Sequence, residues 1–147
     1  MTGLRRILNS TARGVVGAMA MTGMRSFTGS LGLVEQTPPE AVLQQKFGGL
    51  MRRLGEDRQE GVIEGFHWLT GAVAGATFGF LPDRLRRPDW AGPLYGVAVL
   101  STFELAAAPV LGLEQARRER MIERLVFVVD HLLYGVVLAP PAHDHAG

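Results

Sequence analysis

Five ionisable residues stand in stretches of this chain that otherwise carry almost no charge: Arg25, His67, Glu104, Asp130 and His131. Two of them share a pattern. In "HWLTGAVAGATFG" His67 is followed at intervals of four by Gly71, Gly75 and Gly79, and in "HLLYG" His131 is followed four residues later by Gly135. Intervals of four place these residues on one face of a helix. Two neutral imidazoles at matching depth on neighbouring helices suit a shared metal centre, including a b-type haem with the glycines making room for the macrocycle. They also suit proton transfer or the binding of a polar ligand head group. The plainest alternative is that each ring hydrogen-bonds a nearby backbone group or carboxylate, with Asp130 as the candidate, while the glycines serve only close helix packing. Arg25 and Glu104 carry opposite charges and could meet across a bundle. Such a pair would fix helix register, line a path for substrate or protons, or not form at all.

The elements that must hold these residues are long and apolar. Four stretches of about twenty residues, 14–34, 62–82, 91–113 and 121–141, are nearly free of charge, and arginines and carboxylates crowd between them. About twenty apolar residues in a helix cross the roughly 30 Å hydrocarbon core of a bilayer. Many of the 19 glycines fall inside these stretches, where they would weaken helices in water but are common in membrane helices. The reading is an all-α, four-helix transmembrane bundle forming one integral membrane domain; a soluble all-α bundle with glycine-rich core helices is the alternative. A charge at mid-bilayer costs about 2.5–3.5 kcal/mol on insertion scales, so Arg25 and Glu104 need partners or a water-filled site.

The chain also resembles itself. "GVVGAMAMTGMRSFTGSLGLVE" (14–35) lies over "GPLYGVAVLSTFELAAAPVLGLE" (92–114) if one residue is inserted. Gly17 then matches Gly96, Thr22 matches Ser101, Arg25 matches Glu104, and both copies reach Leu-Gly-Leu. The following helices match through His67 and His131, and Gly71 and Gly135. The expectation is two tandem two-helix hairpins running the same way, as in duplicated membrane proteins. Gly17, Gly71, Gly75, Gly79, Gly96 and Gly135 are the expected packing positions.

Between the first two stretches, Thr37, Pro38 and Glu40 form a helix start close to a capping box. Leu43, Phe47, Leu50, Met51 and Leu54 then share one helical face, which predicts an amphipathic interfacial helix over about 38–54; a helix packed on a partner is the alternative. Trp68, Trp90, Tyr95 and Tyr134 are read as interfacial aromatics. The segment 114–124 is expected to extend the last helix outward, and His143 and His145 belong to a solvated tail.

Several function classes drop out. Without cysteine there is no thiol catalysis or disulfide. A formal charge of +1 argues against nucleic-acid binding. No phosphate-binding loop, nucleophile elbow or zinc-protease motif is present, so the chain reads as non-enzymatic. Fourteen of its fifteen basic residues are arginine, which fits a GC-rich bacterial genome. Six basic residues flank the expected spans on the side of the termini and eight on the other, with the first helix favouring cytoplasmic termini.

The helix "GVVGAMAMTGMRS", the "TPPE" helix start and the closing "HLLYGVVLA" resemble small bacterial membrane proteins of the YagU-like type. That resemblance implies an inner-membrane location and a role in acid or envelope stress, and it brings no catalytic residues. The leading expectation is a scaffold, accessory subunit or homo-oligomer in the lipid bilayer. The second is a small transporter with a polar path lined by Arg25, Glu104, His67 and His131, and the third is a haem-binding electron carrier.

Overall fold

Glycine decides how these helices meet. The computed structural model describes residues 3–113 and 120–139, and among them every regular element is helical. In chain order they are α1 (Gly3–Ser30), α2 (Pro38–Met51), α3 (Glu56–Phe80), the single turn α4 (Asp83–Arg86), α5 (Ala91–Leu111) and α6 (Met121–Leu138). Segment 114–119, expected to extend the last helix, and the tail histidines lie outside the described residues.

α1 packs most extensively on α3, α5 packs on α6, and contact between α1 and α6 joins the two pairs. Both seams are closed by glycine. A Cβ at Gly75 would stand 2.9 Å from the Gly14 Cα, and one at Gly79 would stand 2.9 Å from the Ile7 Cα. In the second pair, a Cβ at Gly135 would sit 2.7 Å from the Pro93 Cα, and one at Gly96 would press on the His131 carbonyl. At such separations backbone touches backbone, which only small residues permit.

These contacts re-register the internal repeat. Gly14 faces Gly71 and Gly75, while Gly92 faces Gly135 and Ala139; Ala18 meets Gly71, while Gly96 meets Gly135. Gly14 therefore answers to Gly92, and Ala18 to Gly96, without an insertion. Gly17, expected opposite Gly96, instead meets the Tyr134 ring of α6. One residue is about 100° around a helix, so the counterpart of Arg25 becomes Phe103 rather than Glu104. By the Leu-Gly-Leu sequences the second copy is two residues longer, and one of these is absorbed where Phe103–Ala107 forms a π turn ahead of Pro109. A π turn inserts a residue without breaking the helix.

The two Leu-Gly-Leu sequences do one job. Gly32 and Gly112 adopt φ of +67° and +61°. Leu33 N–H donates to the Thr28 carbonyl at 3.1 Å, and Leu113 N–H to that of Ala108 at 3.0 Å. Each is a Schellman closure, whose left-handed residue is easiest as glycine. At the other end of the bundle, arginines of α1 terminate its neighbours. Arg6 donates to the Gly79 carbonyl at 3.0 Å and Arg13 to the Ala139 carbonyl, so cations meet the C-termini of α3 and α6.

α2 begins as expected, with Glu40 accepting from the Thr37 N–H at 3.4 Å. Its apolar face does not stay intact. Phe47 leaves helical geometry (φ −123°, ψ 25°). Leu43 and Met51 are buried while Phe47 and Leu50 stand exposed. The buried Val42 packs beside Leu113 and Ala108. Tyr95 and Tyr134 are not interfacial: their hydroxyls donate to the α3 carbonyls of Ala74 and Gly71 at 2.7 and 2.8 Å. These bonds tie the second pair to the first.

Among the described residues, one helix, Ala91–Leu111, is long and apolar enough to cross a membrane, and 17% of its most apolar stretch is buried. The other three expected spans do not meet that test. α1 carries Arg5, Arg6, Arg13 and Arg25, α3 opens on Glu56, Asp57, Arg58, Glu60 and Glu64, and α6 holds Glu123, Arg124 and Asp130.

Two outcomes are expected. Gly75→Ala and Gly96→Ala should each lower stability by about 1–3 kcal/mol in detergent-denaturation curves, whereas Gly23→Ala, with open space around it, should be neutral or mildly stabilising. Asp83 accepts from Arg86 and pairs with Arg6 and Arg87. The Arg86 hydrogen bond and these charges hold its carboxyl below the ordinary carboxylate range. Its contribution is therefore present above the unfolded-state pKa and lost as pH falls through the folded one. Melting curves of Asp83→Asn and wild type should converge on acidification.

Candidate functional site

The space left between the two helix pairs is a cavity of about 300 Å³. Arg25 of α1, His67 of α3, and Asp130, His131 and Tyr134 of α6 stand on its wall, and Thr37 and Pro38 at the start of α2 cover one side. Thr70 apart, the rest of the lining is apolar, including Phe66, Phe103 and Phe127. The repeat explains the convergence. His67 and His131 are equivalent positions on α3 and α6, and so are Phe66 and Asp130, and Thr70 and Tyr134. All six line the cavity.

Among the described residues, three buried side-chain polar atoms have no hydrogen-bond partner: Thr37 Oγ1, His67 Nε2 and Asp130 Oδ1. Thr37 and His67 are each 9% exposed and Asp130 3%. An unpaired buried polar group costs about 1–3 kcal/mol, and all three belong to residues lining this one cavity. His131 is satisfied on one side, since its Nδ1–H donates to the Phe127 carbonyl at 2.8 Å. A carbonyl only accepts, so in the neutral ring Nε2 keeps its lone pair. Of the two kinds of partner expected for an imidazole, a backbone group or the Asp130 carboxylate, His131 takes the backbone group.

Arg25 finds its carboxylate elsewhere than expected. Its Nη2 lies 3.7 Å from Glu64 Oε2 of α3, with side chains 12% and 23% exposed. Thr22 joins them: its hydroxyl lies 2.5 Å from Glu64 Oε2 and accepts from Arg25 at 3.4 Å and from Trp68 Nε1 at 3.3 Å. Glu104 makes no ion pair among the described residues and does not line the cavity. The pairing fails because the true register puts Phe103 at the equivalent position. Sequence reasoning missed Glu64, Thr22 and Thr37 as site residues. The signal was present in helical spacing: Thr22 stands three residues before Arg25, and Glu64 three before His67.

The histidines do stand on one cavity, but not with room for a haem made by glycine. The space beside Gly71, Gly75 and Gly135 is filled by the backbones of α1 and α5. Among the described residues no group of three or more His, Asp or Glu has metal-holding geometry.

Compared with known proteins, the chain matches no family model, no curated protein and no solved structure. The reading of the site therefore rests on its own geometry. Glu64→Gln should lower stability by about 2 kcal/mol, the scale of a hydrogen-bonded charge left unmatched, while Glu104→Gln should leave the denaturation midpoint unchanged.

Proposed function

We propose that this is a non-enzymatic, multi-pass membrane protein that binds a small molecule between its two helix pairs and carries it within or across the bilayer. The observation that carries this reading is the convergence of three unpartnered buried polar atoms on one otherwise apolar cavity. Small-molecule sites have this composition: an apolar shell with a few placed polar groups.

Support for four crossings comes from the surface. Bulky apolar residues stand outward on all four long helices, and α1, α3 and α5 turn mainly small or polar ones inward, while α6 also buries Val126, Phe127 and Leu138. Leu8, Val16 and Met19 of α1 are exposed, as are Leu69, Val73 and Phe80 of α3, Leu94, Leu105 and Val110 of α5, and Leu125, Val129 and Val136 of α6. The buried positions between them include Gly14, Gly17, Gly71, Gly75 and Gly96. This inversion suits lipid rather than water outside. Some of the charges on α1 and α3 are provided for: Arg6 and Arg13 reach helix ends, and Arg25 meets Glu64. The resemblance to YagU-like proteins adds a bacterial inner membrane to the proposal, and the basic N-terminal flank of the first helix adds cytoplasmic termini.

A second reading is a homo-oligomer or a subunit of a larger membrane complex. The exposed row Leu125, Val129, Leu132 and Val136 on α6 favours it, because residues so spaced form a continuous seam for another helix.

In cell fractionation the chain should stay with membranes after an alkaline carbonate wash; release into the supernatant would refute the membrane reading. In lipid nanodiscs, at least one small naphthyl compound should bind at one equivalent per chain. Val99→Phe, which fills the cavity from α5, should abolish that binding without altering the helical circular-dichroism signal. Undiminished binding to Val99→Phe would show that the cavity is not the site.

A further inference from the structure

Resting on the reading of the cavity as a ligand site, we infer that its ligand is a small amphiphilic amine, bound as its ammonium ion with an aromatic or short apolar body.

Charge comes first. On the cavity wall stand one guanidinium, Arg25, and one carboxylate, Asp130; a second carboxylate, Glu64, lies behind the wall against Arg25. Glu64 is engaged with Arg25 at 3.7 Å and with the Thr22 hydroxyl. Asp130, at 3% exposure, keeps an oxygen with no partner. With neutral imidazoles the ionised site is one negative charge in excess. A buried carboxylate is strongly disfavoured unless a cation or donors meet it.

Apart from Arg25 and the Thr37 hydroxyl, which can donate, the polar groups of the wall offer acceptors. An ionised carboxylate only accepts, and His131, having given Nδ1–H to Phe127, offers an acceptor at Nε2. Tyr134 has spent its proton on the Gly71 carbonyl, which leaves oxygen lone pairs. The Thr37 hydroxyl and His67 Nε2 are both unpartnered. A wall so rich in acceptors calls for a donor, and an ammonium group brings three donors with a full positive charge.

Two further features exclude the opposite class. Helix starts attract anions through free backbone N–H groups, but α2 begins Pro38-Pro39 at the cavity edge, and proline has none. Phe66, Phe103, Phe127 and Tyr134 line the rest, and aromatic faces favour a cation over an anion. A volume of about 300 Å³ is at the small end of ligand sites, which limits the body to one or two rings or a short chain.

Three probes of one shape test this: naphthylmethylamine, naphthylmethanol and naphthoic acid. Binding is measured by equilibrium dialysis against the protein in nanodiscs of zwitterionic lipid, with empty nanodiscs subtracted. The amine should bind about tenfold tighter than the alcohol, and the acid should not bind. In Asp130→Asn the preference for the amine over the alcohol should vanish. If the alcohol or the acid binds best to the wild type, the cavity is a ligand site but the amine assignment is wrong. If none of the three binds, the cavity reading itself fails. The wild-type ranking decides the assignment even if Asp130→Asn does not accumulate.

Discussion

Backbone-to-backbone contact along two glycine seams is the constraint from which the rest of this structure follows. Where α1 meets α3, and α5 meets α6, there is no room for a side chain. Bulk must therefore go elsewhere, and most of it goes outward: leucines, valines and phenylalanines stand exposed along all four long helices. The larger inward-facing residues collect where the two pairs join, around Met21, Phe78, Tyr134 and Leu138. Helices normally pack 8–10 Å apart with interdigitating side chains. Closing two seams tighter than that leaves the space between the pairs as the place where polar groups gather.

The two pairs are held in register by polar links as well as packing. Tyr95 and Tyr134 each reach a carbonyl on α3, and Arg13 reaches the end of α6. The Thr22–Arg25–Glu64 cluster fastens α1 to α3 on the cavity side. A carboxylate and a guanidinium in this position match each other's charge, so the buried arginine is a structural member of the first pair and leaves Asp130 of the second uncompensated.

Much of the fold was legible because periodicity and glycine placement are local. Helix locations, the helix start at Thr37, the break at Leu81-Pro82 and the like direction of the two pairs all follow from residues near one another in sequence. His67, His131, Asp130 and Arg25 could be singled out because a charge or imidazole in an apolar run is conspicuous. What failed was register. Matching Gly17 to Gly96 favoured residue identity, whereas packing required only smallness, which Ala18 supplies. That single step turned Glu104 toward Arg25 on paper and away from it in the folded chain. The π turn at Phe103–Ala107, which absorbs one residue of the difference in length, has no sequence signature strong enough to reveal it. The kink at Phe47 likewise depends on what α2 packs against.

The halves of the cavity are related in backbone and unequal in chemistry. Where the first copy places Arg25, the second has Phe103, and where the first has Phe66 and Thr70, the second has Asp130 and Tyr134. A duplicated scaffold with identical walls would accept a guest in either of two orientations of equal energy. Here that degeneracy is lifted: the approximate symmetry inherited from the repeat survives in the helices but not in the side chains that line the cavity.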